Sequence, residues 1–435
     1  MNATTATFIG LGIFFILILC RMPVGFAMAF VGFVGFWYLS GLKGALAILG
    51  QTPYYATTFY EYIVIPLFML MGIFAFHSGI SRRLFDTSYK FIGHIPGGLA
   101  ASAIGGCSLF AAICGSSMPT AATMATIALP EMKRYGYSPA LATGSLAAGG
   151  TLGVLIPPSI GMVVYGIITE ESIGKLLIAG ILPGILLTGL FILTIYLQCR
   201  INPKLGPPGP KSTWVEKLDS VRGIWETAVI FMICMGGIYL GFFTPVEAAG
   251  IGCLGTFIIG LAKRKLNLQA IFLSIKETGK FTSMIFVIII GAYIFGYFIS
   301  IGQLPMKIAN YFAESGMSPH TILLGILFMY LIIGCIMDFF AMMILTLPII
   351  YPLILKLGFD PIWFGVIMVI MLEMGQITPP VGINVYTIKG VAKDVPIKTI
   401  FWGIVPFWGA MILCLFILIL FPQIALFLPT NMFSR

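Results

Sequence analysis

Charge is what this sequence has least of. Only 9% of its 435 residues are Asp, Glu, Lys or Arg, too few to cover the surface of a soluble domain of that length. The eight cysteines (Cys20, Cys107, Cys114, Cys199, Cys234, Cys253, Cys335 and Cys414) lie in or beside apolar segments. No CxxC pair or Cys/His spacing occurs among them, so the sequence supports neither a disulfide framework nor a zinc site. His77, His94 and His320 stand at segment ends and form no catalytic constellation. There is no Walker A loop, HExxH, GxSxG or pair of intramembrane aspartates, so nucleotide-driven work, metalloprotease chemistry and intramembrane hydrolysis all lack their residues. No enzyme is expected. The opening segment Phe8–Cys20 has neither a basic n-region nor a small-residue cleavage site, and is read as a retained span.

What is present is hydrocarbon. The chain is 59% hydrophobic with a mean hydropathy of +1.05, which predicts an all-α polytopic membrane protein with room for about a dozen spans. The first spans are expected at Ala6–Cys20, Val24–Leu39 and Ile63–Phe76, followed by an amphipathic piece, Ile80–Ile95, lying in the interface. Gly97–Ile113 and Met118–Lys133 are short apolar arms joined by the small polar tip Cys114-Gly-Ser-Ser117, which reads as a re-entrant helical hairpin. Next come Pro139–Ile168, interrupted at Gly149–Ser159, and a span at Leu176–Cys199. Residues 201–222 carry four prolines and read as a cytoplasmic linker. The second half offers spans at Gly223–Gly241, Val246–Leu261 and Phe281–Ile301, with a separate amphipathic piece at Leu266–Lys280. A second hairpin, Thr321–Ile336 with Phe339–Leu355, surrounds the tip Gly334–Asp338. An interrupted segment, Pro361–Gly390, and a span near Phe401–Phe421 complete the chain.

The two interruptions, GGTLGVLIPPS at Gly149–Ser159 and GQITPPVGIN at Gly375–Asn384, organise the rest. Paired prolines remove two amide donors, and nearby glycines let the backbone leave helical geometry. Unpaired backbone groups are tolerated at membrane depth only where they line a cavity or bind something. The halves are a repeat: Pro23, Pro139 and Pro157 recur as Pro245, Pro361 and Pro379 at one offset of 222 residues. With the N-terminus outside and each hairpin re-entering on its own side, all 24 basic residues but five fall in the cytoplasm, the exceptions being Lys43, Lys175, Lys307, Lys356 and Arg435. That arrangement inverts the second half relative to the first. Residues 1–200 form one repeat, with scaffold spans at about 1–62 and a hairpin and broken helix at about 97–168. Residues 223–435 form the other, with scaffold spans at about 223–265 and a transport part at about 319–391. Such inverted pairs permit alternating access across one barrier.

Several side chains then stand where ions or cargo could be held. Ser116, Ser117, Thr151 and Ser159 offer hydroxyls near the first interruption, and Thr378 and Asn384 offer oxygens near the second. The competing use for such groups is a bond to their own helix carbonyls. Asp338, at the second tip among apolar residues, is the most informative acid, with a capping role as its alternative. Glu373 is a weaker case, and Glu247 reads as structural.

Taken together, CGSSMPTAATMATIALPEMKRYGY, AAGGTLGVLIPPS, TPVEAAG, MDFF and GQITPPVGIN resemble the large membrane subunit of tripartite ATP-independent periplasmic (TRAP) transporters, the DctM-like family of the ion-transporter superfamily. The resemblance implies an elevator-type secondary transporter in the bacterial inner membrane, importing an organic anion on a gradient of two or more Na+. It implies as partners a small DctQ-like membrane subunit, a DctP-like periplasmic solute-binding protein and membrane lipid, and no nucleic acid. Docking of the small subunit is expected on residues 6–60 and 223–265. One Na+ site carries onto Ser116 with Gly153, Ile156 and Pro158, and a second onto Gly334, Gly375, Thr378 and Val381. Asp338, Ser117, Ser159 and Asn384 are the residues expected on the substrate. Cys114 departs from the serine that opens this tip in many relatives, so no hydroxyl ligand is offered there. Sialic-acid members appear with an arginine in the transport spans, whereas no basic residue lies between Phe281 and Lys307, which points to a small carboxylate or sulfonate. Both termini are expected in the periplasm. The alternative is a self-sufficient Na+- or H+-coupled anion carrier or antiporter of the same superfamily.

Overall fold

The computed structural model describes residues 2–314 and 316–432; Arg435, counted among the external basic residues, lies outside them. With apolar side chains on every face, backbone hydrogen bonds have to close within each segment, and the described chain is helical accordingly, without strands. In chain order the first half gives α1 (Ala3–Leu19), α2 (Val24–Ser40), α3 (Leu42–Thr58), α4 (Val64–His77), α5 (Ile80–Ile92), α6 (Gly98–Cys114), α7 (Ser117–Arg134), α8 (Pro139–Leu155), α9 (Ile160–Thr169), α10 (Ile173–Ala179) and α11 (Ile181–Ile201). After α12 (Trp214–Arg222) the second half gives α13 (Trp225–Tyr239), α14 (Pro245–Ala262), α15 (Leu268–Ile301), α16 (Leu304–Glu314), α17 (Pro319–Gly334), α18 (Phe339–Lys356), α19 (Pro361–Gly375), α20 (Ile383–Val391), α21 (Ile397–Leu420) and α22 (Gln423–Thr430).

Shifted by 222 residues, most elements of the two halves coincide in sequence position. The first hairpin, α6–α7, matches α17–α18, and the first broken helix, α8–α9, matches α19–α20. Six helices among the described residues are long and apolar enough to cross a membrane, or up to eight if each bent pair counts as one span. That is fewer than the dozen that composition allowed, because the hairpin arms and broken halves divide the apolar sequence into shorter pieces.

Three local expectations are corrected. Residues 42–58, not read as an element from the sequence, form α3, and residues 304–314 form α16. The amphipathic piece 266–280 and the span 281–301 are not separate: α15 runs unbroken for 34 residues, about 51 Å. In the first half the matching stretch is interrupted by a 3-10 turn at Tyr60–Ile63, after which Pro66 opens α4. Ile288 occupies the position of Pro66 in the second half, so nothing there stops the helix.

The linker is also more ordered than its prolines suggest. Thr213 and Glu216 make a reciprocal cap that starts α12, and Thr87 of α5 donates to the Ser220 carbonyl at 2.9 Å. Further back, the Gly97 amide donates to Gly206 (3.0 Å), and the Tyr137 hydroxyl to Pro207 (2.7 Å). Residues 205–222 are thereby strapped across the base of the first hairpin.

Packing divides the helices into two groups. In one, α2 lies along α15 while α4 packs on α14, with α1, α3 and α13 alongside. A hydroxyl pair, Tyr62 with Tyr293 at 3.0 Å, and a half-buried ion pair, Lys263 with Glu226 at 2.5 Å, close this group internally. In the other, α8 is surrounded by α6, α7 and α21, and α19 by α17 and α18. Every residue of α19 from Ile362 to Gly375 is buried, so it is an internal helix of that group.

Candidate functional site

The first interruption begins where the sequence withdraws its donors. Ile156, preceding Pro157, is extended rather than helical, which ends α8 at Leu155. Ser159 restarts the chain as the N-cap of α9: its Oγ accepts from the Met162 amide at 3.1 Å and donates to the Val154 carbonyl. The two halves are bent by 42°. The first hairpin tip is seated in this bend. Gly115 adopts φ +66, and a Cβ there would meet the Pro158 carbonyl at 2.3 Å, so only glycine fits. The Ile160 amide donates to the Gly115 carbonyl at 3.2 Å. On the other side, a Cβ on Gly153 would lie 2.3 Å from the Ser116 carbonyl oxygen. Ser116, Gly153 and Pro158 are therefore brought into contact. Ile156 is buried beside them and turns its side chain toward Gly184.

The second junction repeats the arrangement. The α-carbons of Gly334 and Gly375 pack so closely that a Cβ on Gly375 would be 2.8 Å from Gly334. The Val381 amide donates to the Cys335 carbonyl at 3.3 Å, and Gly382 (φ +52) starts α20. Gly334, Gly375 and Val381 thus lie close together.

Side-chain hydroxyls are used more locally. Thr151 donates to Ala148 O (2.6 Å) and Thr378 to Met374 O (2.6 Å), while Thr120 takes up the Ser116 carbonyl (2.7 Å). The Cys114 thiol points at the same carbonyl, at 3.9 Å. Asp338 is the N-cap of α18, its Oδ2 accepting the Phe340 amide at 3.0 Å. It is the capping use of this acid that the structure displays. Ser117 opens α7 and is buried, as is Asn384 on α20. These two come from opposite halves, yet both face the carboxyl of Glu373, and α7 packs directly on α20.

Between the two helix groups lies a cleft of about 370 Å³, lined by Tyr293, Tyr297 and Ser300 of α15 and by Leu347 and Tyr351 of α18. Tyr351 donates to Glu171 at 2.6 Å beside it. Farther along α15 a second space of about 420 Å³ takes in Thr278, Thr282 and Ser283 against Pro66 and Leu70 of α4. Phe281, on the same stretch, meets Phe340 next to Asp338 edge-on, with ring centroids 5.8 Å apart. None of these α15 and α18 residues was singled out from the sequence. The signal available was the run of hydroxyls Thr278, Thr282 and Ser283 within an apolar helix, which periodicity alone assigns to no partner.

Similarity to known proteins gives the family. Residues 11–424 match the family described as tripartite ATP-independent periplasmic transporter, DctM component. The C4-dicarboxylate TRAP transporter large permease protein DctM of Pseudomonas aeruginosa is 38% identical over 400 residues, covering 89% of this chain and 93% of the relative. The isethionate TRAP transporter permease protein DctMQ of Oleidesulfovibrio alaskensis is 35% identical, over 88% of this chain and 61% of its own length. The sialic acid TRAP transporter large permease protein SiaM of Vibrio cholerae is 30% identical, over 95% and 96%. Among solved structures, the YdaH transporter of Alcanivorax borkumensis shares the fold at 14% identity, with a TM-score of 0.54 over 90% of this chain and 88% of that one. Matched by that family over residues 11–424, and with relatives that are permeases rather than enzymes, this chain belongs to the DctM family, the large permease component of TRAP transporters.

Proposed function

We propose that this chain is the transport subunit of a Na+-coupled importer of a small carboxylate or sulfonate in the bacterial inner membrane, working by an elevator mechanism with both termini in the periplasm. The carrying observation is the pair of junctions: each hairpin tip is seated in its own broken helix, with backbone carbonyls gathered at both. Hard monovalent cations favour such oxygen sets, and two or more Na+ are assigned to them. Site one takes Ser116, Gly153, Ile156 and Pro158, and site two Gly334, Gly375, Thr378 and Val381. Asp338, Ser117, Ser159 and Asn384 bound the cargo, whose negative charge is met by helix amides and bound Na+ in the absence of a nearby arginine. The helices α1–α4 with α13–α15 form the static scaffold, on which a small DctQ-like subunit docks. A DctP-like periplasmic binding protein delivers the anion. Relatives are named for C4-dicarboxylates, isethionate and sialic acid, and the first two, at 38% and 35% identity against 30%, are of the cargo class proposed.

The test is uptake into proteoliposomes carrying the chain with its small subunit, supplied with the binding protein and an inward Na+ gradient. Succinate or isethionate is expected to accumulate only when all three components and Na+ are present. Accumulation by the large subunit alone would refute the tripartite reading in favour of a self-sufficient carrier, and gradient-independent uptake would refute Na+ coupling.

A further inference from the structure

One buried cluster takes no part in either junction. Glu373, on the last turn of the internal helix α19, is 1% exposed, and neither of its carboxylate oxygens has a hydrogen-bond partner. Asn384 is 0% exposed with both side-chain polar atoms unpartnered, and Gln376 is 4% exposed with its Nε2 unpartnered. The Asn384 amide nitrogen donates to the Gln376 carbonyl at 3.1 Å, which holds these two residues together across the break. Ser117 approaches from the first hairpin. Its hydroxyl and the Asn384 amide act on the Glu373 carboxyl, but neither reaches hydrogen-bond geometry with it. Three buried polar side chains left unpartnered in one place are far from the native norm, in which nearly every such group is bonded.

Charge sharpens the point. The charged group that acts on Glu373 is Asp338, of the same sign. Asp338 is itself accommodated by the amide at the start of α18, whereas no basic residue is among the groups that act on Glu373. A carboxylate removed from water needs a positive partner, and oxygens from a carboxylate, two carboxamides and a hydroxyl are the donor set of a hard cation.

We propose that Glu373, Asn384, Gln376 and Ser117 form a further Na+ site, separate from the two tip junctions, that joins the second broken helix to the first hairpin. Three of its residues come from one half of the chain and the fourth from the other. An ion there fixes α20 against α7, so its binding links the two repeats instead of acting within one. The site goes beyond the two Na+ junctions and does not depend on them, and it shares Ser117 and Asn384 with the proposed cargo set.

Equilibrium binding of radioactive sodium to the nanodisc-reconstituted chain with its small subunit tests this. Glu373→Gln, of nearly the same shape, is expected to bind one Na+ fewer per chain than the wild type. The exchange Glu373→Gln/Asn384→Asp, which moves the carboxylate across the same site, is expected to restore it. Asn384→Ala, which keeps the acid, is expected to weaken one Na+ about tenfold. Ser116→Ala and Thr378→Ala probe the junctions and are expected to leave the Glu373-dependent ion in place, so failure of either reading is seen separately. Unchanged Na+ stoichiometry in Glu373→Gln together with unchanged affinity in Asn384→Ala would overturn the proposal, as it would mean that the acid simply carries a proton.

Discussion

Gly153→Ala puts the first junction to a quantitative test. The added Cβ would sit 2.3 Å from the Ser116 carbonyl oxygen and 2.7 Å from Thr120 Oγ1, where real contacts stay beyond 3.0 Å. The tip must therefore retreat by at least about 0.7 Å, the difference between 3.0 and 2.3 Å. Backbone cannot give way as a flexible side chain can, and overpacking of this kind costs about 1–3 kcal/mol. The helix-propensity gain of alanine is common to the Na+-free and Na+-bound states, so it cancels. If the whole penalty falls on the ion-bound junction, the Na+ concentration for half-maximal uptake rises about 5- to 150-fold. The assay is the Na+ dependence of proteoliposome uptake, with Gly189→Ala as the control, because a Cβ there meets nothing within 4 Å. An unchanged Na+ dependence in Gly153→Ala, with the control also unchanged, would refute the assignment of Na+ to this contact.

Two further outcomes follow from the same geometry. Asp338→Ala and Ser116→Ala are expected to abolish Na+-driven uptake without loss of expression. Asp338→Asn keeps an N-cap for α18, worth about 1 kcal/mol, while removing the charge, so full uptake in Asp338→Asn would reduce this acid to its capping role. On the surface, Lys133 donates to Asp394 at 2.6 Å and holds its carboxyl below the usual value of 3.8. A lowered carboxylate pKa gives a contribution that is present above the ordinary value and lost as pH falls through the folded one. The difference in thermal midpoint between wild type and Asp394→Asn should therefore be flat above pH 3.8 and close below it. A difference that instead grew on acidification would contradict the pairing.

Much of the architecture was legible beforehand because it is written in local chemistry. Both hairpins fall where short apolar arms flank small polar tips, and both breaks fall at paired prolines. The misreadings were of a different kind. The amphipathic start of α15 looked separable from its span because charge ends at Lys280, yet a change of polarity does not stop a helix. The linker looked free because proline removes donors, but its carbonyls at Leu205, Gly206 and Pro207 remained available and are taken by Ser138, Gly97 and Tyr137. Glu373 was ranked below Asp338, since sequence position gives no view of which acid finds amides to bond.

Hydropathy, the 222-residue repeat and the proline–glycine breaks were fixed by the chain alone, because covalent geometry and the exclusion of water act residue by residue. Partnership across the repeats was not. That Ser117 and Asn384 meet at Glu373, and that α15 lines a cleft with α18, depend on how segments far apart in sequence pack. Local pattern sets which groups are available; only the packed helices decide which of them are left to bind something else.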